Sequence, residues 1–130
     1  MKTPYFEDGS DTKTFAPFVL EDCGDVFDVD IRLTFGDWGF LLDVVGAEVI
    51  DGYYLNGYGL QGLLKAARFD AGIQTSNGRI EYNSEGDILL VLFTDMEDAC
   101  TTAELAQAMC LDGRRIRALV AIARREGFEE

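Results

Sequence analysis

The side chains best equipped for chemistry in this chain are carboxylates and phenols. Asp22, Asp25, Asp28 and Asp30 fall close together, and Tyr53, Tyr54 and Tyr58 flank Asn56-Gly57. Clustered aspartates have two uses: they gather a hard cation such as calcium or magnesium, or they meet arginines and lysines in charge-assisted hydrogen bonds. Two strand carboxylates without the glycine-bearing loop of a calcium site are a weak metal signal, and the least demanding alternative is a solvated acidic face. Same-sign carboxylates held on a rigid strand repel each other and are relieved by a basic surface. On that argument Asp22, Asp25, Asp28 and Asp30 are the candidate partner-binding set. Tyrosines offer large contact area with a hydrogen-bonding tip, which suits an interface anchor as well as a core position. Tyr53 and Tyr54 join the candidate set, whereas Tyr58 is assigned to the core at the start of a helix.

Enzyme chemistry finds little to work with. The chain has no histidine, which removes the side chain that most easily exchanges a proton near neutral pH and the commonest metal ligand. No Ser or Cys sits beside a base, no glycine-rich phosphate loop follows a strand, and Gly57-Tyr58-Gly59 lacks the rest of a dinucleotide fingerprint. A carboxylate pair is the hydrolytic set of glycosidases, but acid pairs are too abundant here to discriminate. The expectation is a non-enzyme without cofactor or structural metal. Cys23, Cys100 and Cys110 form an odd set with no CxxC, so they read as reduced thiols, the last two in a helix interior.

Charge selects the partner. Twenty-four acidic against eleven basic side chains leave a formal charge of -13 at pH 7. Such a surface repels nucleic-acid phosphates and anionic headgroups while steering basic proteins toward it. Arg114, Arg115, Arg117, Arg124 and Arg125 crowd near the C-terminus without interleaved aromatics, so intramolecular pairing and helix-end placement suit them better than a nucleic-acid patch. No apolar run approaches the roughly 20 residues of a membrane span, and residues 1–10 are polar and acidic rather than a leader. A cytoplasmic protein with no nucleic-acid or membrane ligand is expected.

The elements that must position these residues follow from periodicity. Residues 1–14 read as a loosely held arm, and residues 15–130 as one domain. Phe27, Val29, Ile31, Leu33 and Phe35 alternate with polar residues, which predicts a strand with one buried face. Trp38, Leu41, Leu42 and Val45 have helical spacing between Asp37 and Gly46. Residues 58–69 predict a second helix with Leu60, Leu63, Leu64 and Ala67 buried. Residues 79–83 and 87–94 predict a hairpin around Ser84, Glu85 and Gly86, and the run 88–93 reads as a strand buried on both faces. Leu105, Ala108 and Met109, then Ile116, Leu119, Val120 and Ala123, mark two more helices, the first capped by Asp95 or by Thr101-Thr102 and broken at Asp112-Gly113. The result is an α+β fold, an antiparallel sheet of about four strands packed on one side by helices, with a helical C-terminal third.

Gly52-Tyr53-Tyr54-Leu55-Asn56-Gly57-Tyr58, the helix that follows over residues 60–65, and the hairpin arms 79–82 and 88–93 together resemble the immunity protein 51 family of bacterial polymorphic toxin systems. The similarity runs over residues 15–126 in order of elements, and its most specific match is Asn56-Gly57-Tyr58 at a helix start. The family pattern continues with an acidic and an aromatic residue where this chain has Gly59 and Leu60. The resemblance implies a stoichiometric antitoxin that binds a cognate toxin domain and blocks it, and the charge argument independently favours a basic partner. The runner-up is a small acidic adaptor or regulatory domain for another basic protein, acting alone or as a homodimer.

Overall fold

The computed structural model describes residues 2–128; Met1, Glu129 and Glu130, the outer ends of the expected arm and domain, lie outside the described residues. In chain order the elements are β1 (Ser10–Asp11), β2 (Val19–Asp22), β3 (Ile31–Phe35), α1 (Trp38–Val45), β4 (Val49–Ile50), β5 (Tyr53–Tyr54), α2 (Gly57–Asp70), β6 (Ile80–Tyr82), β7 (Leu89–Phe93), α3 (Met96–Cys110) and α4 (Gly113–Glu126). Five strands form one antiparallel sheet in the order β1-β2-β3-β7-β6, and β4 with β5 makes a separate two-stranded ribbon. The fold is α+β with helices on one side of the sheet, as the periodicity predicts.

Alternation sets the two faces of the sheet. Ile31, Leu33 and Phe35 of β3 and Leu89, Val91 and Phe93 of β7 are buried beneath α2 and α3, and α4 packs outside those two helices. The opposite face carries the cross-strand row Glu21, Arg32, Leu92 and Glu81. Leu90 and Leu92 are only half-buried there, which corrects the expectation of a strand covered on both sides. A continuous apolar run is compatible with two covered faces, but every helix that packs on the sheet lies on the same side.

The segment read as a loose arm is tied down. Asp11 is 2% exposed, and its carboxylate accepts the backbone N–H groups of Tyr5, Lys13 and Thr14 at 2.9–3.0 Å. That carboxylate folds the segment into an edge strand, the fifth of the sheet. The Lys2 N–H donates to Glu104, and its ammonium to Gln107, so the arm also spans α3.

Local signals place the helices well. Asp37 caps α1 and Gly46 closes it in the left-handed region; Asp95 caps α3, while Thr101 and Thr102 fall inside that helix. Leu60, Leu63, Leu64 and Ala67 of α2 are buried as the pattern predicts. In α3 the match is partial, since Met109 is buried and Leu105 packs on the core whereas Ala108 faces out. Cys100 and Cys110 are buried, and desolvation pushes the Cys110 thiol up to about 12. Arg68, fully buried, joins α2 to α3 and to the loop that follows α2: its guanidinium meets Asp98 at 2.8 Å, the Thr102 hydroxyl at 2.6 Å and the Gln74 carbonyl at 2.7 Å. It thereby pins the connection that leads into β6.

Tyr58 departs from its assignment. It is 43% exposed, because the residues on either side of it are glycines that bring backbone against backbone. A Cβ on Gly57 would lie 1.7 Å from the Glu85 carbonyl oxygen, and one on Gly59 1.8 Å from that of Tyr54. With the first turn of α2 pressed inward at 57 and 59, position 58 points out.

Candidate functional site

The connection between β2 and β3 is the site toward which the acidic residues converge. Its hydrogen bonds continue beyond the strands: Cys23 N–H donates to Asp30 O at 2.8 Å and Asp25 N–H to Asp28 O at 3.0 Å. At the tip the Asp25 carboxylate accepts the N–H groups of Phe27 at 2.8 Å and Asp28 at 2.9 Å, a side-chain mimic of a backbone turn. Those bonds, first from Phe27 and then from Asp28, hold the Asp25 carboxyl below the ordinary carboxylate range. Gly24 is required by proximity, since a Cβ there would stand 2.3 Å from the Asp28 carbonyl oxygen. The outcome is a narrow, internally bonded hairpin.

Its tip consists of Val26 and Phe27, 93% and 91% exposed and the two most exposed large apolar side chains among the described residues. This overturns the prediction that Phe27 and Val29 belong to the buried face of the strand. The regular strand begins at Ile31, and Val29 is 47% exposed. Alternation specifies which side of the chain a residue faces; it carries no information on how far the helices extend over that side.

The four aspartates do come together, with different duties. Asp25 closes the turn, Asp22 accepts the Gly24 N–H at 3.2 Å, and Asp30 pairs with Arg32 at 3.3 Å. Asp28 is exposed and its carboxylate has no donor among the described residues. Beside the hairpin lies a groove of about 520 Å³ whose lining includes Asp28, Val29, Asp30, Arg79, Glu81 and Leu92. Val29 and the half-buried Leu92 offer apolar surface beside these carboxylates, which fits the aliphatic stem and charged head of a lysine or arginine. Among the described residues no three Cys, Asp or Glu side chains are disposed to hold a metal ion.

The tyrosines do not belong to this site. Tyr53 is 1% exposed, donates its phenol to the Gly59 carbonyl and lies under the Arg124 guanidinium, so it leaves the candidate interface for the core. Tyr54 is 66% exposed and lines a second groove of about 310 Å³ with Trp38, Leu42 and Leu55. Asp30 precedes β3 and Trp38 follows it, so the two grooves lie at opposite ends of that strand. What sequence reasoning missed is the apolar pair Val26-Phe27; its signal was present in Asp25-Val26-Phe27-Asp28, an apolar dipeptide inside an aspartate turn.

The terminal arginines mostly serve the molecule itself. Arg115 pairs with Asp70 at 2.8 Å, Arg117 donates to the Val45 carbonyl at 3.0 Å, and Arg125 meets Glu126 at 3.0 Å. No helix among the described residues is long and apolar enough to cross a membrane. Comparison with protein-family models, with curated proteins and with solved structures finds no match to this chain.

Proposed function

We propose that the chain is an immunity protein, an antitoxin that binds a basic toxin domain stoichiometrically and silences it without chemistry of its own. The observation that carries this reading is the β2–β3 hairpin: an exposed apolar tip on an internally bonded turn, beside Asp28, an exposed carboxylate with no ion pair among the described residues. An apolar centre with a charged surround is the anatomy of a protein interface. The charge of -13 supports a basic partner by steering, and the resemblance over residues 52–58 to the immunity protein 51 family supports the toxin context. Asn56 and Gly57 cap α2 and seat it against the 84–88 turn. The resemblance therefore bears on the architecture, and the hairpin on binding.

The adaptor reading has one observation in its favour, the Tyr54 groove at the far end of β3, which an inhibitor acting through the hairpin leaves unused. Co-expression separates the two. The immunity reading expects a toxin domain encoded beside this gene; when the two are expressed together, growth should be restored and the proteins should elute as an equimolar complex. Persistent toxicity with no complex removes the immunity reading and leaves the adaptor.

A further inference from the structure

We infer that the β2–β3 hairpin acts as a plug: Val26 and Phe27 enter a concave apolar pocket on the partner whose rim of lysines and arginines meets Asp28 and Glu81. The inference rests on the immunity reading and specifies how that binding would block the toxin.

Three features of the hairpin lead to it. Large apolar side chains exposed singly are ordinary on protein surfaces; here two adjacent ones stand more than nine-tenths exposed at the end of a projection. They contribute almost nothing to folding, because hydrophobic stabilisation scales with area removed from water. The turn is also ordered before binding. The Asp25 carboxylate, the two cross-hairpin backbone bonds and the close approach at Gly24 hold the tip without a partner. A tip fixed in advance loses little conformational freedom on association, so more of the contact energy appears as affinity.

Shape and charge then specify the occupant. A convex apolar tip is complementary to a concavity, and concave apolar pockets with a few polar groups are where proteins hold their small ligands and substrates. Carboxylates at Asp28 and Glu81, both exposed and without donors among the described residues, require cations at the mouth of that pocket. Inhibition is therefore by occlusion of the partner's cleft rather than by locking a distant surface. A bilayer and a second copy of this chain are the other surfaces that accept an exposed apolar tip, and the net charge of -13 disfavours anionic lipid and self-association alike.

The test uses the 130-residue chain and the toxin domain that the immunity reading expects beside its gene. Phe27→Ser and Val26→Ser should keep the wild-type thermal midpoint, because both positions are exposed, yet dissociate about 30-fold faster or more, the signature of a hot-spot anchor. Asp28→Asn and Glu81→Gln should slow association at low salt and converge with wild type at high salt. Tyr54→Ser should bind as wild type does. If the wild type binds and the Phe27 and Val26 variants dissociate at its rate, the plug is wrong while the immunity reading stands; if the wild type does not bind, both fall. A dimer of the chain alone that Phe27→Ser dissolves would overturn the inference, as would Phe27-dependent sedimentation with phosphatidylcholine vesicles.

Discussion

Tyr53 and Tyr54 are adjacent in the chain and opposite in environment, and substitution should separate them cleanly. Truncating Tyr53 to Ala opens a cavity and removes the phenol's hydrogen bond to the Gly59 carbonyl, at a cost of about 3–5 kcal/mol in unfolding free energy. Tyr54→Ala, on the wet side of β5, should stay within about 0.5 kcal/mol of wild type. Denaturant titration of the two variants checks this, and equal losses would contradict the placement of Tyr53. Asp11 is a residue whose charge contributes to folding. Burial raises its pKa, but hydrogen bonds from the Thr14 side chain and backbone and from the Tyr5 and Lys13 N–H groups outweigh it, lowering the value from 3.8 to about 2. The folded value lies below the unfolded one, so this carboxylate stabilises the protein above pH 3.8, and the contribution is lost as pH falls toward about 2. The amount is on the order of 2 kcal/mol. Asp11→Asn should be less stable at pH 6 and flatter between pH 4 and 2 in the same titration; an unchanged acid profile would show that Asp11 is not the group responsible.

At the scale of elements, the junction between α2 and the β6–β7 turn is where local sequence serves long-range packing. Asn56 caps the helix by accepting the Gly59 N–H at 2.9 Å, and Gly57 donates its own N–H to Gly86 O at 3.1 Å. Asn56→Ala should cost about 1 kcal/mol, the ordinary value of a cap. Gly57→Ala should cost about 3 kcal/mol, because the added methyl meets backbone and no rotamer change relieves it. Urea unfolding of both variants would test the ranking, and a Gly57→Ala loss no larger than that of Asn56→Ala would refute the close approach. The caps of α1, the α2 stripe and the β6–β7 hairpin were legible because each is encoded within a few residues; Asn56-Gly57 read only as a turn. The outward turn of Tyr58 was not legible, since it depends on Gly57 pressed against the distant 85–88 backbone as well as Gly59 against Tyr54. Asp11 escaped for the same reason: its partners are local, but its burial comes from the edge of the sheet.

For the whole molecule, the charge of -13 acts on folding and on association in opposite directions. Raising salt from 0.1 M to 1 M shortens the screening length from about 10 Å to about 3 Å. Self-repulsion of the free chain then falls, and its thermal midpoint should rise, while association with a basic partner should slow as steering is lost. A midpoint that drops with salt would mean that surface pairs such as Arg115–Asp70 outweigh the repulsion. The sequence by itself determined what is local or summed over the chain: the sign of the net charge, the absence of histidine, the caps of α1 and the sides on which strand residues lie. Tertiary structure alone decided depth and company. It put Tyr53 in the core, left Phe27 and Val29 in water, brought Asp28 beside Glu81, and parted Tyr54 from the aspartates by the length of β3. Periodicity assigns a residue to a face, whereas burial depends on which distant element covers that face, and that is settled only when the layers pack.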